Sequence, residues 1–468
     1  MSRAIRAERR QLLLLPPSVD ELVGADHPVR FVEAFVRSLN LAELGMSDPD
    51  EDERGRPAFA AEMKLGVWVY GYFERIRSTR RLERACESDL AMRWLTGGHV
   101  IDHNTLWLFF DQHRGKMKKL FRQVVLLARD EGLLGMALHA VDGTKILTAS
   151  SNRTAMHAND LREEVKRLDE QIARQLAEID TTRAHEAEGH KLPEALRDAQ
   201  ERAARIRAGL ARLEQAEREH LHPSEPEARM MRKHGRTDLA YNAQVVSDAE
   251  LQVVVAAEVE TVETDNHLLV PMLENVKATV GAVATTTLAD AGYFSGEQLA
   301  EAEARGLDVK VAMPKVAARE TDEFHRDRFT YDNTRDVYVC PTGELLARER
   351  EMKKRGVLLT VYRCKNTECP VRDACTKSKD GRMIQRSEHE ASFARRRAEA
   401  RSSPGRESMR QRGAIVEPVF AQIKTLDGFT RFTVRGIEKA RAQWALVCAA
   451  YDLRKLYTFW RTGSLQLA

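Results

Sequence analysis

A carboxylate and an ammonium, Glu417 and Lys424, stand seven residues apart in MRQRGAIVEPVFAQIK, residues 409 to 424. On a helix seven residues make two turns, so both would leave one face about 10 Å apart. Val416, Val419, Phe420 and Ile423 form the apolar stripe that buries the other side. Such a pair suits a site with metal at one end and phosphate at the other, although alone it reads as the surface of an ordinary amphipathic helix. Two further carboxylates change that reading. Asp142 sits inside the apolar run of MALHAVDGTKILTAS, where it is costly unless paired or metal-bound; an Asp-Gly turn is the alternative. Asp290 ends the β-branched run of ATTTLADAGYFSG, and the C-terminal end of a strand is where open α/β sheets place their sites.

Thiols supply a second candidate centre. Cys340, Cys364, Cys369 and Cys375 have 23, 4 and 5 residues between them. Four thiolates close a tetrahedral zinc site, which would staple a small β-rich module with little core of its own; plain reduced cysteines are the alternative. Cys86 and Cys448 lie in apolar helical contexts and read as core. His185, His190, His220 and His222 fall on or near solvated faces and read as non-ligands.

The elements that must position these residues follow from periodicity. A chain of 468 residues exceeds one compact core, and two to four domains are expected. Residues 1–130 read as helical: a capping box at Ser18 and Glu21, a helix from Pro28 to Leu39, a buried one within Phe59 to Ile76, and helices after Ser78 and Asp102. Arg80, Arg81, Arg84, Lys116, Lys118 and Lys119 lie on their polar sides, as in a helix-turn-helix-like DNA reader. The first strand falls in 131–155. Leucines and isoleucines at three- and four-residue spacing then predict an antiparallel helical hairpin within 156–225.

Tyr241 to Val246 and Gln252 to Val259 read as a β-hairpin turning at Asp248, and Asp265 or Asn266 as the cap of a following helix. The strand before Asp290, a helix and another strand complete 226–316. The Cys-rich segment spans 317–387, and 388–468 returns with the Glu417 helix and a last helix buried through Trp444, Leu446, Val447, Ala450, Leu453 and Leu456. The order strand, excursion, hairpin, helix, strand, helix, strand is that of an RNase H-like mixed α/β sheet whose first and fourth strands each carry an Asp. Three carboxylates converging from such a sheet and a late helix would hold two Mg²⁺ or Mn²⁺ ions, because hard oxygen ligands favour these over zinc.

Net charge is only +3, but Lys and Arg exceed Asp and Glu by about ten from Thr376 onward, which points to a polyanionic partner at one face. Neither a signal peptide nor a membrane span is legible, so a cytoplasmic protein is expected.

DGTK around Asp142, ADAGYFS around Asp290, and Arg412, Glu417 and Lys424 in R-x4-E-x6-K resemble the DDE transposases of bacterial insertion sequences, in the group marked by a Tyr-Arg-Glu-Lys signature. The likeness runs along nearly the whole chain, through ADHPVR, RSTRRLERACESDLAMRWLTGG, EPEARMMRKHG and the CPTG…YRCKNTECPVRDAC cluster. In two places the chain departs from the signature: Met409 holds the Tyr position, and Arg412 stands one residue further from Glu417 than the common pattern has it.

The resemblance implies that Asp142, Asp290 and Glu417 are metal ligands. It also implies that Lys424, Arg412 and Lys145 contact phosphate or the transposon end, and that the enzyme cuts at its element's terminal inverted repeats and joins the ends to target DNA. A homodimer bridging two ends, with the helical hairpin as its contact, is a separate expectation. Similar enzymes stack a flipped base on an aromatic ring, a role for which Tyr293 or Phe294 is placed. Two other readings stand beside this one, a catalytically silent DNA-binding derivative and an RNase H-like nuclease without strand transfer.

Overall fold

The computed structural model describes residues 18–47, 58–151, 156–183, 194–215, 220–222, 224–233, 235–312, 323–354 and 357–465. The expected tip of the helical hairpin, with His185 and His190, lies outside them. At the centre is a six-stranded mixed sheet. Its strands are β1 (Leu138–Leu147), β2 (Arg229–Lys233), β3 (Arg236–Asp248), β4 (Val254–Glu260), β5 (Thr286–Ala289) and β6 (Val309–Val311). The spatial order is β2-β3-β1-β5-β6, with β4 also paired to β3.

Register is what positions the acidic residues. β1 runs antiparallel to β3, setting Asp142 opposite Val245, Gly143 opposite Gln244 and Lys145 opposite Asn242. β1 and β5 run parallel, and their last paired residues are Val141 and Ala289. Asp142 and Asp290 are therefore the next residues along two adjacent strands, at the point where β5 ends and β1 runs on beside β3 to Leu147. Ala140, Val141, Leu288 and Ala289 are all buried, so both faces of this pairing are covered.

The N-terminal helices share the core of the sheet. Phe31, Trp68, Phe110 and Phe121 belong to one continuous cluster with Val141 and Val245 and with Trp444 and Leu453 of the last helix, Ile437–Arg461. Near residue 130 the chain thus changes secondary structure without leaving its core. Ser18 bonds the backbone N–H of Glu21 at 3.3 Å, but the segment is a turn and the first helix is Pro28–Ser38. The helices Ala158–Arg183 and Glu194–Gln215 meet through narrow seams, Leu161 with Leu213 and Leu168 with Ala199 and Ala203. His222 is buried rather than solvated.

A second sheet comprises β7 (Thr330–Asp332), β8 (Val337–Val339), β9 (Leu345–Lys354), β10 (Val357–Arg363) and β11 (Met383–Ser387). Its own core is small: Phe324, Phe329, Tyr338, Leu346, Tyr362 and Ile384. Among the described residues no helix is long and apolar enough to cross a membrane.

Candidate active site

Glu417 lies on the helix Ser403–Ala421, whose buried face is Ile415, Val416 and Val419. Pro418 has no N–H to give Ala414, and the carbonyl so released accepts a bond from the Gln252 side chain at 3.1 Å. The α-helix does not run on to Lys424. It loosens into a π-turn, Gln422–Leu426, so Glu417 and Lys424 are not two regular turns apart. The buried Ile423 holds that turn down, and Lys424 Nζ donates to Thr144 Oγ1 at 2.9 Å. Thr144 follows Asp142 by two on β1 and shares its face of the strand.

Arg412 ties the strand to the helix. Its guanidinium stands 3.1 Å from Asp142 Oδ2 and 3.7 Å from Glu417 Oε1. The structure thus gathers Asp142, Asp290, Glu417, Arg412 and Lys424 around the point where β5 ends. Asp142 is largely enclosed, whereas the Glu417 side chain is 69% exposed. Asp290 Oδ1 accepts the Gly292 N–H at 2.8 Å, just as Asp142 Oδ1 accepts that of Gly143 at 2.8 Å.

Burial pushes the Asp142 carboxyl up to about 6; the Arg412 cation opposes the rise and the Asp290 charge adds to it. The sign of the stability effect follows. The folded protein takes up this proton near pH 6 and the unfolded chain only near the ordinary value of 3.8, so this group favours folding as pH falls and opposes it above 6. About two units correspond to roughly 3 kcal/mol at neutral pH. Without added metal, Asp142→Asn is expected to raise the thermal midpoint at pH 7.5 and to lose that advantage by pH 4. Melting curves at the two pH values check this; equal midpoints at pH 7.5 would contradict it.

The donor set suits a hard divalent cation, since like-charged carboxylates facing one another are relieved by such an ion. Glycines let the backbone come close to two of these carboxylates. A methyl group on Gly292 would stand 3.0 Å from Asp290 Oδ1, and one on Gly413 would stand 3.1 Å from Glu417 Oε1. Among the described residues, however, no group of three or more His, Cys, Asp or Glu stands ready to hold a metal. The Arg412 cation holds Asp142 in this arrangement, and Glu417 extends outward.

Neither aromatic is presented to a flipped base. Tyr293 is fully buried, with its hydroxyl bonded to Gln244 Oε1, and burial together with Asp265, Asp142 and Asp290 holds its phenol well above the ordinary range. Phe294 stacks on Phe393 with ring centroids 5.1 Å apart. Arg80 and Arg81 are exposed on the helix Thr79–Ser88, close in sequence to Arg77, whose guanidinium donates to the Asp427 carbonyl at 2.7 Å. Lys118 is paired with Glu258 at 2.6 Å.

Sequence reasoning missed Asp265. It does not cap the helix Leu269–Val280, which has no side-chain cap. Its Oδ1 instead accepts Asn242 Nδ2 at 2.6 Å and Gln244 Nε2 at 2.8 Å, with Lys145 Nζ 3.8 Å away.

Cys340, Cys364, Cys369 and Cys375 line one cavity in the second sheet's module, together with Phe324, Phe329 and Leu346. Burial holds the Cys375 thiol up; Arg382 works against this, and the other three cysteines reinforce it. Cys86 and Cys448 are buried in helices.

Residues 339–457 match the family model described as Transposase DDE domain, and residues 17–112 match the one described as Transposase domain (DUF772). The first match includes Arg412, Glu417, Lys424 and the four clustered cysteines, and the second includes Arg80 and Arg81; Asp142 and Asp290 fall between the two. No curated protein and no solved structure matches the chain.

Proposed function

We propose that this chain, which its two domain matches indicate to be an insertion-sequence transposase of the DDE type, binds its element's terminal inverted repeats and cuts and rejoins DNA there through Asp142, Asp290 and Glu417. The supporting observation is the parallel pairing that ends at Val141 and Ala289, with Arg412 reaching from Asp142 to Glu417. Enzymes of this kind usually use Mg²⁺. A pair of such ions, when bound, supplies activation of the attacking water or 3′-hydroxyl and neutralises the leaving oxygen.

The chain's own residues do the rest. Asp142, within β1, and Asp290, just past the end of β5, would hold the cation together with Glu417, which reaches from an exposed helix face. Arg412, which stands beside Asp142, would with Lys424 and Lys145 face the phosphate backbone. Arg80 and Arg81 in segment 1–130 take the flanking repeat. The RNase H-like core is then 131–155, 226–316 and 388–468, with 156–225 and 317–387 as insertions. A homodimer bridging two ends in the cytoplasm fits this activity, and a monomeric sedimentation profile with both ends bound would remove the dimer.

The test offers the full chain, with Mg²⁺, a DNA end carrying the repeats that flank its gene. Nicking followed by joining is expected. Nicking alone would mean an RNase H-like nuclease, and binding alone a silent derivative.

The clustered cysteines bind one structural zinc in this reading. Among the described residues the apolar cluster of this module has six buried side chains, a thin core for its length, and a metal staple would supply what packing does not. Protein purified without chelator is expected to carry one zinc per chain by atomic emission. Cys369→Ser is expected to lose the zinc and expose the second sheet to protease. A metal-free, equally protease-resistant wild type would contradict this.

A further inference from the structure

Asn242 and Gln244 are completely buried in the middle of β3, between Tyr241, Ala243, Val245 and Val246. Burying an amide there is costly unless it is paired. Both spend a donor on one atom, Oδ1 of Asp265. Gln244 also donates to Asn242 Oδ1 at 2.9 Å and accepts the Tyr293 hydroxyl. The Asp265 carboxylate is thus fixed by the core of the sheet, although the residue belongs to a loop.

Two glycines let it in. Gly143 lies opposite Gln244, and a methyl group there would stand 3.0 Å from Asp265 Oδ1 and collide with the Gln244 amide. At Gly292 a methyl group would stand 3.3 Å from Asp265 Oδ2 and 3.0 Å from Asp290 Oδ1. With Oδ1 committed to the amides, Oδ2 is turned to the same small space as Asp290. Lys145 Nζ stands 3.8 Å from that same committed Oδ1, which leaves Oδ2 beside Asp290, and two carboxylates sharing one space are an arrangement that a divalent cation relieves.

We propose that Asp265 is a fourth carboxylate of the cation site and helps to bind a divalent ion together with Asp290. The proposal rests on the function read above. Asn242 and Gln244 are positioning residues for it.

Mn²⁺ titrated calorimetrically into the full-length chain, without DNA, tests it. Asp265→Asn keeps the size of the side chain and is expected to weaken Mn²⁺ binding about tenfold or more, with Asp265→Glu restoring part of the loss. Mn²⁺ binding lost in Asp142→Asn and Asp290→Asn but unchanged in Asp265→Asn would overturn the role of Asp265 and leave the parent reading intact. A wild type that binds no Mn²⁺, or binds it equally well in all three variants, would overturn both. A second measurement needs no variant. Fe²⁺ with ascorbate and peroxide cuts backbone near a bound ion, and scission is expected around residue 265 as well as around 142 and 290. Scission at 142 and 290 without 265 would overturn the proposal even if Asp265→Asn failed to fold.

Discussion

Replacing Asp142, Asp290 or Glu417 by Ala is expected to lower Mg²⁺-dependent nicking at the repeat end by about a thousandfold or more, with DNA binding changed only a few-fold. A thousandfold is about 4 kcal/mol of transition-state stabilisation, within what a correctly held divalent ion supplies to a phosphodiester. The three substitutions should differ in stability though not in activity. Glu417 is 69% exposed, so its loss removes almost no packing. Asp142 stands largely enclosed in the middle of β1 facing Arg412, and Asp142→Ala deprives that guanidinium of its nearer partner. Gel-shift titration beside a nicking time course separates the two effects. Wild-type nicking by Glu417→Ala would take the Glu417 helix out of the catalytic site.

Asp427→Ala is expected to cost about 3–5 kcal/mol of stability, the range for removing one partner from a buried ion pair. Asp427 is 1% exposed, and its carboxylate receives Arg75 Nε at 2.8 Å, Gln422 Nε2 at 2.9 Å and Arg454. Its carbonyl receives Arg77. The alanine variant leaves Arg454, only 17% exposed, without its counter-charge. These partners come from the N-terminal helical region, the π-turn and the last helix, so one carboxylate fastens the turn carrying Lys424 to the other two. A thermal midpoint lower by several degrees is expected, with Asp427→Asn falling less because it keeps an acceptor. Nicking should drop well below the melting range as the Lys424 turn loosens. An unchanged midpoint in the alanine variant would show the cluster to be dispensable.

Local chemistry carried much of this into the sequence. The strand positions of Asp142 and Asp290 were legible because each interrupts or ends an apolar or β-branched run, and Val141 and Ala289 do pair. Glu417 was legible because Val416 and Val419 mark the buried face of its helix. The helical hairpin was legible from its seams alone.

What failed depends on contacts between distant residues. An Asp before an apolar helix is ordinarily its cap, and nothing near Asp265 says that Asn242 and Gln244 hold it elsewhere. A signal was present all the same: two amides two residues apart, in a strand otherwise apolar, mark a polar pocket on one face. Tyr293 beside Asp290 looked available for stacking, but a residue's position in sequence does not say which way a ring turns, and this one turns into the core. The π-turn at Gln422 adds the one irregular step that a regular helical count from Glu417 to Lys424 could not supply. Nothing in the sequence around Asp427 announces its role, because its three arginines come from 352, 350 and 27 residues away.

Anomalous scattering from crystals of the full chain grown with Mn²⁺ and a repeat-end DNA is the most direct measurement. Manganese is expected between Asp142 and Asp290, with both carboxylates as ligands, Arg412 displaced from Asp142 and Glu417 turned inward. Manganese bound elsewhere, or Asp142 and Asp290 side by side in that complex with no shared ion, would contradict a two-metal centre at the end of β5.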